Sequence, residues 1–136
     1  MPIVECFHHV SLVVTDLARA RRFYAEVLGL KELERPGFEF PGAWFDLGNA
    51  QLHLIVHDTP RSLRGTTEIA SRDGHLALRV QDYAAMVERL RAHGVAFLER
   101  PHNATPWAQI HLTDPDGNGI ELNVERTGPT AGDAGA

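Results

Sequence analysis

Polar and apolar residues alternate in four short stretches of the chain. They are His9-Val10-Ser11-Leu12-Val13-Val14, Gln51-Leu52-His53-Leu54-Ile55-Val56, His75-Leu76-Ala77-Leu78-Arg79-Val80 and Gly119-Ile120-Glu121-Leu122-Asn123-Val124. A period of two predicts strands with one face on a core. After the first stretch, Leu17, Ala20, Tyr24, Val27 and Leu28 recur at helical spacing; after the third, Met86, Val87 and Leu90 do the same. Asp16 and Asp82 stand just ahead, where a carboxylate can accept the free amide hydrogens of a first helical turn. Gly29 and Gly94 stand just behind, where a left-handed residue is least strained as glycine. Helices are therefore expected over about 17–28 and 83–93, and further strands over 31–35, 43–48, 95–99 and 107–113. Gly48-Asn49 and the run from Asp114 to Gly119 supply hairpin turns.

The two halves repeat one another. His9 and His75 lie 66 residues apart, as do Asp16 and Asp82. Gly29 and Gly94 lie 65 apart, and His53 and Glu121 lie 68 apart. So steady an offset predicts an α+β chain of two βαβββ units, 7–56 and 75–125, within a single domain over 1–126. Residues 57–74 read as a connecting loop, and the Gly-, Ala-, Thr- and Pro-rich tail 127–136 as disordered.

Alternation also sorts the candidate chemistry. Val10, Leu12 and Val14 belong on the helix-packed face, so His9, Ser11 and Val13 point the other way. The same logic turns His53, His75 and Glu121 away from the helices. A lone strand histidine is usually a core or surface residue. Four such residues at equivalent places in a duplicated unit are a first shell for a divalent metal if the sheets curl round one cavity. His111 and Arg79 share those faces as candidate substrate contacts, and Trp44, Phe45 and Trp107 are candidates for an aromatic wall.

Composition narrows the function classes. At 136 residues and 43% apolar content the chain is expected to fold around one core. A net charge of -5 without a basic run argues against nucleic-acid binding. No stretch has the roughly 18 apolar residues of a membrane span. The single cysteine, Cys6, allows no internal disulfide. The expectation is a cytoplasmic protein acting on a small molecule.

These stretches, with Phe23-Tyr24-Ala25-Glu26-Val27-Leu28-Gly29-Leu30 and Asp114-Pro115-Asp116-Gly117-Asn118-Gly119-Ile120-Glu121-Leu122, resemble the vicinal oxygen chelate superfamily. That superfamily includes glyoxalase I, fosfomycin- and bleomycin-resistance proteins and extradiol dioxygenases. The resemblance implies curved mixed sheets enclosing one divalent ion (Ni, Zn, Co, Fe or Mn) and a homodimer. The ligand positions fall on His9, His53, His75 and Glu121. Glu121 matches a catalytic glutamate and becomes the candidate proton shuttle of a glyoxalase-type lyase or isomerase. The chain departs at His53, where glyoxalase I commonly carries Glu or Gln. Ser11 matches the spacing of a hydroxyl in the fosfomycin transferases. Trp107 and His111 complete the candidate substrate contacts. The alternatives are an iron-dependent extradiol-type dioxygenase using His9, His75 and Glu121, and a drug-binding protein of the bleomycin-resistance type.

Overall fold

The alternating stretches form strands because each pairs with its expected neighbour and buries one face. In the computed structural model, which describes residues 2–126, β1 (His9–Val14) lies parallel to β4 (Gln51–Val56). β3 (Gly42–Asp46) pairs antiparallel with β4, and β2 (Glu32–Leu33) with β3, so the first sheet has the order β1-β4-β3-β2. The second sheet repeats it as β5-β8-β7-β6, from β5 (His75–Arg79), β6 (Leu98–Arg100), β7 (Trp107–Thr113) and β8 (Gly119–Glu125). The elements fall into two compact units, Met1–Ser62 and Leu63–Ala136. The expected strands at 31–35 and 95–99 shrink to two and three residues. Tail 127–136 lies outside the described residues.

Each sheet buries its apolar face in its own unit's core. In the first unit Leu12, Val14, Ala43, Phe45, Leu52 and Leu54 are buried, as are Ala20, Phe23, Tyr24 and Val27 of the helix. In the second, Ile110, Leu112, Ile120 and Leu122 are buried, as are Met86, Val87 and Leu90. Removing this apolar area from water is the main term favouring each unit. Phe45 is fully buried, so of the three expected wall aromatics it belongs to the core.

The helices begin alike and end differently. The Asp16 carboxylate accepts from the Arg19 amide at 2.9 Å, and that of Asp82 from the Ala85 amide at 2.9 Å. α2 (Tyr83–Ala92) closes with the Gly94 amide on the Arg91 carbonyl and the Val95 amide on that of Leu90. This is a Schellman ending, with Gly94 at φ 67°. The first helix starts as α1 (Leu17–Arg21) and widens into a π-helical turn over Arg22–Val27. There the Leu28 amide reaches the Phe23 carbonyl, and the Leu30 amide that of Tyr24. The π turn accounts for the shift from 66 to 65 in the repeat: the first helix holds one residue more between its Asp cap and its Gly stop.

The loop ahead of β5 is pinned from inside. Arg64, with its side chain 1% exposed, donates from Nε to the Asp73 carboxylate at 2.9 Å. It also donates to the Gly117 carbonyl at 2.9 Å and to the Glu68 carbonyl. Gly117, at φ 87°, brings the β7–β8 turn so near Thr67 that a Cβ would stand 2.8 Å from Thr67 Cγ2. A larger residue there would meet both the wrong backbone region and a clash.

Candidate active site

In the first unit, the face away from the helix carries a column of rings. His9 and His53 stack with centroids 4.1 Å apart, and Trp44 lies on His53 at 4.0 Å with an interplanar angle of 3°. Strand register produces this: Ser11 and Trp44 flank His53 on its two neighbouring strands. Ser11 is exposed. His8 Nδ1 lies 2.7 Å from His9 Nδ1; one ring donates and the other accepts, which leaves His9 Nε2 outside the contact. The Gln51 side-chain oxygen lies 2.9 Å from His53 Nε2 and accepts its proton. His53 then offers Nδ1 as its lone pair, unless the Gln51 amide turns over and Nε2 becomes the acceptor. Burial, reinforced by His9, His8 and Arg35, lowers the His53 pKa and favours the neutral, ligating form.

In the second unit the equivalent face is a buried polar network. Glu121, 5% exposed, sits beside Ala77 and His111 on the neighbouring strands. Asn123 donates to Glu121 Oε2 at 2.6 Å, and Arg79 Nε donates to the Asn123 side-chain oxygen at 2.6 Å. Arg79 is also ion-paired with Glu125 at 2.8 Å, and its guanidinium lies 5.8 Å from the Trp107 ring. The structure therefore places Arg79 behind Glu121, engaged by protein groups. The Gln109 side-chain oxygen accepts from His111 Nε2 at 3.2 Å, so the lone pair of His111 is on Nδ1, which is buried with no partner. Burial lowers the His111 pKa, although Glu121 acts in the opposite sense.

His75 has a fixed tautomer. Its Nδ1 donates to the Asp73 carbonyl at 2.8 Å, on the residue Arg64 holds, so in the neutral ring Nε2 carries the lone pair. That nitrogen lies 3.5 Å from Glu121 Oε1. A neutral imidazole lone pair facing a buried carboxylate oxygen is unfavourable without a cation beside both, either a metal ion or the ring's own second proton. Two ligands each about 2.0–2.1 Å from one ion stand about 3.0–3.4 Å apart. The spacing of this pair is near that ligand edge, and the donor set fits a divalent ion.

The structure brings His9 to His53 and His75 to Glu121, each pair within its own unit. Among the described residues no group of three His, Cys, Asp or Glu gathers as a metal cluster. Also among them, no helix is long and apolar enough to cross a membrane. Sequence reasoning missed three neighbours of the ligand candidates, His8, Gln51 and Asn123, and Gln109 beside His111. The signal for Asn123 was available, because period two puts it on the face of Glu121 and register puts it opposite Arg79.

Comparison with known proteins identifies the family. The chain is 32% identical over 129 residues to lactoylglutathione lyase GLX1 of Arabidopsis thaliana, covering 91% of this chain and 45% of that one. It thus spans about half the length of the plant relatives it matches. It is 31% identical over 123 residues to the lactoylglutathione lyase of Escherichia coli O157:H7, covering 87% of this chain and 91% of the relative. Among solved structures, a glyoxalase family protein from Bacillus anthracis matches with TM-score 0.78 and 22% identity, over 93% of this chain and 99% of that one. TnmS3, an antibiotic binding protein from Streptomyces sp. CB03234, matches with TM-score 0.72 and 30% identity, over 93% and 100%. The model of the Glyoxalase/Bleomycin resistance protein/Dioxygenase superfamily matches residues 7–122, and the chain belongs to that superfamily.

Proposed function

We propose that this chain is a divalent-metal-dependent lyase or isomerase of glyoxalase type, acting on a small oxygenated metabolite. The observation that carries it is the His75–Glu121 pair: an imidazole whose Nδ1 is held by a backbone carbonyl, and a buried carboxylate, spaced as neighbouring ligands. His9, His53, His75 and Glu121 are the ligand set of this reading. A bound divalent ion supplies a positive charge beside the substrate oxygens, where negative charge develops as a neighbouring C–H bond breaks. Glu121 takes that proton and returns it to the adjacent carbon. Asn123 holds Oε2 of Glu121, so Oε1 is the oxygen left for this work. Arg79, locked to Asn123 and Glu125, keeps the amide turned the right way. The lactoylglutathione lyase relatives favour a thiohemiacetal of a 2-oxoaldehyde as substrate. A homodimer belongs to the same reading, on family resemblance.

The test is Glu121→Gln. It is expected to keep most bound metal and lose turnover of a 2-oxoaldehyde–thiol adduct by about 10²–10⁴-fold, the usual contribution of a positioned base. Full activity in that variant would remove Glu121 from the shuttle role. A second reading, ligand sequestration, is favoured by one observation: the aromatic column of the first unit adjoins a cleft, and TnmS3 is an antibiotic binding protein. Tight binding that survives metal chelation, with no turnover, would select it.

A further inference from the structure

A cleft of about 80 Å³ opens beside His53 in the first unit, walled by Trp44, Phe38, Phe40 and Arg35. Phe38 and Phe40 remain 45% and 43% exposed although their rings stack at 5.2 Å. Two large rings kept together in water beside a cleft are a surface prepared for an apolar partner. Phe38 also lies 6.1 Å from Trp44, which continues the wall toward His53.

Arg35 gives the cleft its polarity. Its guanidinium carbon stands 4.7 Å from the Phe38 centroid and 5.1 Å from that of Phe40. One terminal nitrogen donates to the Phe40 carbonyl at 2.8 Å. Nε is buried and has no acceptor, and among the described residues no carboxylate pairs with this side chain. The guanidinium is packed rather than free: a Cβ on Gly42 would stand 3.0 Å from its Nη2. An unanswered, fixed guanidinium among aromatic rings presents planar N–H donors suited to a planar oxyanion.

We propose that this cleft is a binding subsite for a flat conjugated ring bearing a carboxylate. The ring lies against Trp44, Phe38 and Phe40, and the carboxylate accepts from Arg35. The volume sets the size: a closed cavity of about 150 Å³ holds one benzene ring. An open cleft of about 80 Å³ takes the ring part-way and leaves the rest outside. A neutral ring leaves the Arg35 guanidinium without an anion to answer its charge, and an aliphatic acid forgoes the stacking. The inference rests on the proposed function only for its link to a reaction, since His53 lines the same cleft. Binding itself needs no metal.

The experiment is calorimetric titration of the full chain, dialysed against chelator, with naphthalene-2-carboxylate. Its neutral carboxamide and cyclohexanecarboxylate serve as controls. Saturable binding is expected, at least fivefold weaker for either control. Arg35→Met should weaken naphthalene-2-carboxylate at least fivefold and the carboxamide less than twofold. Ile55→Trp, which fills the cleft from its β4 wall, should weaken both ring ligands at least fivefold. Thermal midpoints close to the parent's keep each variant interpretable. No saturable binding by the parent, or a smaller loss in either variant, overturns the subsite. Because the protein is metal-free, either result leaves the metal-dependent reading to be decided by its own test.

Discussion

Trp44 and His111 occupy the same place in the two sheets, each opposite the candidate ligand of the fourth strand of its unit, His53 or Glu121. Around that place the units have diverged. The first stacks rings, with His53 between His9 and Trp44. The second buries a hydrogen-bonded chain from Arg79 through Asn123 to Glu121, beside His111 and Gln109. A stacked imidazole can hold a metal and touch a substrate ring, but it has no carboxylate to move a carbon-bound proton. On the proposed function, the duplicated backbone leaves binding to the first unit and proton transfer to the second.

The sharpest way to break this division is to exchange the two fourth-strand residues for the same side chain. Glu121→Gln should cost about 10²–10⁴-fold in turnover, whereas His53→Gln should cost no more than about tenfold, through weaker metal binding. Steady-state kinetics with metal quantified in each variant decides it, and equal losses would erase the division. A second contrast lies in the helices. Deleting Arg22 should turn the π turn into regular helix and cost less than about 2 kcal/mol in urea unfolding. Deleting Glu88 has no slack to absorb it; it rotates Leu90 out of the core and should cost at least about 3 kcal/mol.

Asn123→Leu should lower kcat by about 10–100-fold and cost about 1–3 kcal/mol in stability, since it frees the Glu121 carboxylate without removing it. Gln51→Leu, the matching change beside His53, should leave kcat within about threefold, as the stack itself positions that ring. Asp16→Ala and Asp82→Ala should each cost about 1 kcal/mol, because the caps are alike. The smallest effect is on pH dependence. His53 and His111 both titrate lower in the folded chain than the ordinary imidazole value of about 6.5. The unfolded chain therefore binds protons first as pH falls, and stability should decline below about pH 6.5 and toward the lowered folded values. Chemical denaturation at pH 7.5 and 5.5 should show this decline, and it should be partly relieved in His111→Gln.

Strands, caps and the faces that carry the candidate ligands were legible because each rests on local chemistry: alternation for His9, His53, His75 and Glu121, and carboxylate capping for Asp16 and Asp82. The π turn was written in the sequence only as a one-residue change of offset, whose meaning needs the hydrogen bonds of Leu28 and Leu30. Trp44 and Phe45 looked alike as wall candidates, and only strand register separates the ring on His53 from the ring in the core. Arg35, Phe38 and Phe40 were invisible because irregular backbone between β2 and β3 brings them together, with no period to reveal it. For Arg79 the sequence left open a contact to an anionic substrate group and a surface ion pair; the pair forms with Glu125, 46 residues away and reached only through sheet pairing.

The central claim is that His9, His53, His75 and Glu121 hold one divalent ion. The most direct measurement is elemental metal content per chain by mass spectrometry, on protein purified without an affinity tag or added metal. The account predicts close to one nickel, zinc, cobalt or manganese per chain, falling at least tenfold in a His75→Ala, Glu121→Ala double variant that remains folded. Close to one iron would transfer the site to oxygen chemistry and contradict the lyase reading. No metal, with none taken up on dialysis against each ion, would contradict the claim itself.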